Sequence, residues 1–380
     1  MVFLSATLGV VLILVILGDA FETIVFPRRV TRRIRLARLF IRHTWLLWSA
    51  LGRAMAPGKR QETYLSFYGP LAPLLLLGVW AVGLIVGFAL LFFADGSAVN
   101  TAGGAPGLGT DLYLSGTTFF TLGLGDVTPR TPLAKLLAVV EAGMGFGFLA
   151  LIIGYLPPLN QSFSRREVNI SLLDSRAGSP PTAAEMLRRH SHDYGLEALR
   201  MLLRDWEGWC AELLESHLSY PVLAYFRSQH DNQSWLGALT AILDTCALLM
   251  AGLEGACTRQ AELTFAIARH TVVDLAIIFR RPPLAPENDR LPPAQLGVLR
   301  AALAASGLRL REGSAADQKL IELRQMYEPY VYSLGKYLHL KIPGWMPATG
   351  PADNWQTSVW GPVSGSPGAG GLKTKKEEHF

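Results

Sequence analysis

The chain has 380 residues, 50% of them hydrophobic, with a mean hydropathy of +0.27 and 35 Lys and Arg against 30 Asp and Glu. That balance fits a membrane protein with a soluble part. Ten of the basic residues crowd into positions 28–60, where no Asp or Glu occurs, so the net charge of +5 belongs to one segment and gives no reason to invoke nucleic acid.

Three apolar runs, Val2 to Phe26, Phe67 to Ala94 and Pro132 to Leu156, are each long enough to cross a bilayer, which needs about 20 residues. The first lacks the basic start and small-residue cleavage site of a signal peptide and is read as a retained, peripheral helix over 1–27. Asp19 and Glu22 lie three apart near its cytoplasmic end; they attract cations or couple to a gate, or else pair with Arg28 or Arg29. The basic stretch 28–62 is predicted to be a cytoplasmic amphipathic linker, with Ile34, Phe40, Ile41, Trp45 and Trp48 toward the acyl chains and arginines on anionic lipid phosphates. Arg29, Arg32, Arg35 and Arg38 repeat every third position, as in a voltage sensor, but too few helices precede them to shield such charges from lipid. By the positive-inside rule the N-terminus and the loop after the second run are outside, and the C-terminal region is cytoplasmic.

Between the second and third runs stands Thr117-Thr118-Phe119-Phe120-Thr121-Leu122-Gly123-Leu124-Gly125-Asp126. Asp111 to Phe120 reads as a short helix capped by Thr110. Glycines at alternate positions permit backbone dihedrals that aim neighbouring carbonyls at one axis, and a ring of carbonyls replaces an ion's hydration shell. The ion ladder is assigned to Thr121, Leu122, Gly123 and Leu124, with Gly125 as outer hinge and Asp126 fixing the segment from behind. A phosphate cradle is the competing reading of Gly-x-Gly, but such a loop should follow a strand.

The pattern Thr-x-x-Thr-x-Gly-x-Gly-Asp, from Thr118 to Asp126, resembles the signature of the tetrameric potassium channels, in the single-pore-loop, two-helix form of bacterial ion channels. The resemblance covers residues 67–158 and implies a homotetramer that conducts K+ at Thr121 to Leu124, with Thr117 and Thr118 on the pore helix. Leu124 stands where most members carry Tyr or Phe, which loosens the packing behind the filter and bears on K+ over Na+ selectivity. Thr117 stands where some relatives place Glu, so Asp126 needs another partner, with Trp80 or a water as candidates.

The third run carries Gly143, Gly145 and Gly147, a hinge for an inner helix gate or a surface for close packing, and Glu141, which braces the pore or attracts cations. The pore module is placed at 63–158, a linker at 159–181, a helical cytoplasmic regulatory domain at 182–346 and a disordered tail at 347–380. Within the helical domain, 235–253 and 263–279 are apolar but interrupted by Asp244 and by Arg269, His270 and Asp274, and are read as buried helices of a bundle. Pro282 to Pro293 break the chain before a final helical stretch, Ala315 to Leu338. Arg227, His230, Asp231 and Asn232 are the candidate site for a ligand, an anion or a proton, or else a self-satisfied helix junction. His190 and His192 lack the partners of a zinc site, and Cys210, Cys246 and Cys257 read as buried thiols.

The fold class expected is therefore an all-α membrane protein of three transmembrane helices with a re-entrant pore loop and a helical cytoplasmic domain. The function expected is a plasma-membrane potassium channel, bacterial in layout, with no enzymatic constellation and no cofactor besides permeant K+. A weakly selective monovalent cation channel and a non-conducting membrane-anchored sensor are the alternatives.

Overall fold

The structure is a computed structural model and describes residues 2–25, 35–101, 106–192, 195–230, 232–253 and 257–347. It is mostly helical, and the chain divides into two units, one of residues up to 162 together with 222–226, the other of 163–221 and the residues from 227 onward. Four helices are long and apolar enough to cross a membrane, within residues 2–25, 59–94, 132–177 and 235–252. The Arg29 and Arg32 positions of the basic linker and the tail from 348 onward lie outside the described residues.

In the first unit α1 (Val2–Ala20) continues through one wider turn, Phe21–Val25, and packs along α4 (Tyr68–Ala94). Small residues set their separation: a Cβ on Gly9 would stand 2.7 Å from the Gly87 carbonyl oxygen. Between apolar helices in lipid, such close approach of backbones supplies the dispersion contacts that hold the pair. Asp19, buried on α1, fixes the register. Its Oδ2 accepts from Trp80 Nε1 and from the Ala37 backbone N–H, each at 3.0 Å. Ala37 lies in the first turn of α2 (Leu36–Ala54), where N–H groups have no partner within the helix and a carboxylate is favoured. Glu22 meets Arg35 at 3.8 Å; Arg28 and Arg29, the partners expected from the sequence, lie outside the described residues.

Helix α2 turns its tryptophans inward, contrary to the expectation of lipid contact. Trp45 is 1% exposed and lies 4.9 Å from the Tyr68 ring and 5.0 Å from Tyr225, while Trp48 stacks on Tyr64 of α3 (Lys59–Ser66). Aromatic rings bury most area against one another, which leaves Leu39, Leu46, Leu47 and Leu51 as the exposed apolar face of α2. After α4 come β1 (Val99–Thr101), α5 (Leu108–Phe119), β2 (Val127–Pro129) and α6 (Pro132–Ala177). The strands pair antiparallel, Asn100 opposite Thr128, in a ribbon that helical periodicity did not anticipate.

Helix α6 does not stop at Pro157-Pro158. It runs on to Ala177, so most of the stretch expected as a linker from 159 to 181 is helical. The two prolines leave the carbonyls of Ile153 and Gly154 without their usual donors, a loss tolerated in long apolar helices where neighbours or water supply substitutes.

The second unit contains the end of α6, then α7 (Ala183–Arg189), α8 (Gly195–Ser219), α9 (Trp235–Gly252), α10 (Thr258–Ile278), α11 (Pro293–Ala305), α12 (Ser314–Gln325) and α13 (Glu328–Leu338). The final stretch is thus two helices, and α11 is additional to those read from the sequence. Helix α9 is the core: protein surrounds it, and its apolar window is 89% buried. Hydroxyls on α10 join it to α8 at heptad spacing, Thr264 to the Leu203 carbonyl and Thr271 to the Cys210 carbonyl. Burial pushes the Cys210 thiol up, as befits an inert core cysteine.

Asp244, which interrupts α9 in sequence, is fully buried and ionically matched. Arg290 reaches its Oδ2 at 2.6 Å and Glu328 at 2.9 Å, the Tyr327 hydroxyl donates to Asp244, and Arg324 bridges Glu328 and Asp289. Arg290→Met leaves buried Asp244 without its cation, while Glu328 keeps Arg324, and is expected to cost about 3–5 kcal/mol, read from chemical denaturation of the purified protein. His217, also fully buried, donates from Nδ1 to the Leu213 carbonyl and faces Arg166 across Nε2. Burial, with Arg166 adding to it, lowers its pKa from 6.5 to about 3. As pH falls below 6.5 the unfolded chain takes up the proton first. Stability should therefore decline by about 1.4 kcal/mol per pH unit from this group down to its folded pKa, a slope that His217→Gln should remove from acid-denaturation curves.

Candidate functional site

Helix α5 begins at Leu108, with Gly107 rather than Thr110 as its N-cap residue. Asp111 in its first turn is buried and accepts from Ser97 Oγ at 2.6 Å, which ties the start of α5 to the turn after α4. Its other end decides the site. Leu122 N–H donates to the Thr117 carbonyl at 2.8 Å and Thr121 N–H to the Thr118 carbonyl at 2.9 Å. This is the double closure of a Schellman ending, which requires a left-handed residue, and Thr121 supplies it with φ of +57°. A β-branched residue resists that conformation, so glycine would be the usual choice there.

Gly123 and Gly125 follow with φ of +54° and +81°. Left-handed residues therefore alternate with ordinary ones from 121 to 125. Alternation of hand collects successive N–H groups on one side of the chain and carbonyls on the other, the geometry of a nest. The carbonyl side suits a bare cation. Phe120 through Asp126 are all exposed in the single chain, with Leu122 at 61% and Leu124 at 63%.

Both ends of this segment are anchored. Beyond it, Arg130 N–H donates to the Ala98 carbonyl, and the β1–β2 ribbon fixes 127–129. Thr131 caps α6 by accepting from Ala134 N–H and donates its hydroxyl to Asp95. Asp126 takes the Tyr113 hydroxyl. Trp80, one of the two candidates, is bonded to Asp19 instead, and the Thr117 hydroxyl returns to the Leu114 carbonyl of its own helix. Tyr113 was not singled out in the sequence, although it lies four residues before Thr117, on the same helical face. Thr118 contributes its carbonyl to the Schellman closure.

Of the three inner-helix glycines, Gly145 has the tight environment. A Cβ there would fall 1.9 Å from the Phe119 carbonyl oxygen, whereas nothing lies within 4 Å of one on Gly143 or Gly147. Helix α6 is continuous through all three.

The residues proposed for regulation are not gathered into one pocket. Arg227 donates to the Leu338 and His339 carbonyls at 2.8 Å each, at the negative end of α13. His230 and Asn232 are exposed, and Asp231 lies outside the described residues. His190 is buried with Nδ1 on the Met186 carbonyl, and burial holds its pKa below the usual value. Among the described residues no cluster of His, Cys, Asp or Glu is arranged to hold a metal.

Residues 76–157 match a family model described as ion channel. The chain is 26% identical over 182 residues to the uncharacterized membrane protein YdjJ of Bacillus subtilis (strain 168), covering 47% of this chain and 52% of that one. It is 28% identical over 121 residues to two pore potassium channel c of Oryza sativa subsp. japonica, covering 32% of this chain and 24% of the relative. The chain thus spans about half or less of the curated relatives it matches. No solved structure matches it.

Gly145→Ala should separate α5 from α6 and lower the melting temperature of the detergent-solubilised protein. Gly143→Ala should instead be neutral or gain up to about 1 kcal/mol of helix propensity, unless another copy packs on that face.

Proposed function

We propose, on the premise that residues 76–157 belong to the ion channel family, that four copies of this chain surround one pore and conduct K+ passively. The observation that carries the reading is the alternation of left-handed backbone at Thr121, Gly123 and Gly125, which supports a ladder of carbonyls on one side from Thr121 to Leu124. One such segment cannot encircle an ion, and the exposure of Leu122 and Leu124 in the single chain favours further copies around it.

In this reading α1, α4 and α6 cross the bilayer, and α5 with residues 120–126 forms a re-entrant loop from the outer face. The fourth apolar helix, α9, is enclosed by protein and stays out of the membrane. The ten basic residues of 28–60 support a reading with that segment at the anionic inner leaflet, the N-terminus outside and the second unit in the cytoplasm of a bacterial cell. The glycines of α6 serve as gate, and the helical unit is regulatory, with a ligand of its own. The chain performs no chemistry and needs no cofactor beyond the permeant ion. Leu124 favours a second reading in which the same pore passes Na+ as well, because it replaces an aromatic side chain behind the filter.

Reconstituted liposomes should show K+ flux in excess of Na+ flux. Gly123→Ala forces a side chain onto a residue at φ of +54°, a strain of about 1–2 kcal/mol in every copy, and should abolish it. Comparable K+ and Na+ fluxes would select the weakly selective channel, and undiminished flux in Gly123→Ala would remove the filter from the pathway.

A further inference from the structure

Where α4, α5 and α6 meet, three oxygens stand in a row. Ser115 Oγ on α5 lies 2.7 Å from the Ile85 carbonyl on α4 and within hydrogen-bond distance of Glu141 Oε1 on α6. Ser115 and Glu141 are both fully buried, and Glu141 Oε2 has no hydrogen-bond partner.

Counting protons decides what this row is. A serine hydroxyl has one hydrogen to donate, while a carbonyl and an ionised carboxylate can only accept. With Glu141 ionised, two oxygen contacts would share a single proton, and one pair would face each other lone pair to lone pair. A second proton on Oε1 completes the row: Glu141 donates to Ser115, and Ser115 donates to Ile85. The same proton spares the apolar interior a bare charge on Oε2.

The row lies on a seam that leads to the filter. Ser115 and Phe119 are one turn apart on α5, and Glu141 and Gly145 one turn apart on α6. The first members of the two pairs meet through the hydrogen bond, and the second members through the Gly145 approach to the Phe119 carbonyl. Phe119 is two residues before Thr121. Ionisable neighbours are few: α4 carries only Tyr68 at its start, α5 has Asp111 and Tyr113, bonded to Ser97 and Asp126, and the nearest on α6 is Lys135.

We propose that Glu141 is a neutral carboxylic acid whose O–H, relayed through Ser115 to the Ile85 carbonyl, locks the inner helix to the pore helix and thereby positions the ion ladder. Glu141 is a positioning residue and does not touch the ion; the consequence for conduction rests on the channel reading above. Two measurements test it on the full chain. In infrared spectra at neutral pH, wild type minus Glu141→Gln should show a protonated carboxyl carbonyl band. In liposome flux, Glu141→Gln, whose amide N–H replaces the acid O–H without charge, should keep the wild-type K+ to Na+ ratio within about twofold. Glu141→Ala and Ser115→Ala, which each break the relay, should lower it about tenfold. Absence of the band, or a Gln variant that behaves like the Ala variant, overturns the proposal even if Glu141→Ala fails to fold. If wild type carries no ions at all, the channel reading fails, while the infrared band still decides whether Glu141 holds its proton.

Discussion

Backbone that is neither helix nor strand survives among apolar helices only where something replaces the water its polar groups have lost. Residues 120–126 are such a stretch, and the rest of the first unit is arranged to hold it. Upstream, the closure of α5 forces Thr121 into a left-handed conformation, and the glycines then repeat that hand at every second residue. Downstream, the β1–β2 ribbon, the Thr131 cap and the Tyr113–Asp126 bond stop the segment from relaxing into a turn. In the channel reading, carbonyls held in this way take a desolvated cation as their partner.

The second unit solves a related problem differently. A buried aspartate in an apolar helix is costly alone, and Asp244 is matched by Arg290, which also takes the Pro343 carbonyl and lies 5.7 Å from the Trp345 ring. One charged residue in α9 thus pins chain segments from 289 to 345 around the core. Arg227 acts similarly at the far end of α13. These contacts define geometry more than they add net stability, since each buried ion gives up its hydration.

What could be read from the residues was what depends on neighbours in sequence. The apolar runs, the alternate glycines and the basic segment follow from local chemistry, and the fourth apolar helix was separated from the others by the single charge at Asp244. What could not be read were partners fixed by packing: Trp80 with Asp19 across 61 positions, Tyr113 with Asp126, Ser115 with Glu141. Amphipathicity assigned Trp45 to lipid because periodicity tells that a face is apolar, not whether lipid or Tyr68 covers it. The pore module was ended at 158 with a linker after it, because polar composition does not tell that α6 passes through Pro157 and Pro158 and runs on to Ala177.

The small-residue seam between α1 and α4 has a thermal consequence. Contacts driven by release of water weaken on cooling, because their free energy near room temperature is entropic. The approach of Gly9 to the Gly87 carbonyl displaces lipid rather than water, and its strength comes from dispersion between backbones. The peripheral helix should therefore remain seated in the cold, when contacts in the second unit's water-excluding core are losing their driving force. Of the two units, the helical bundle is then the one whose cohesion weakens on chilling.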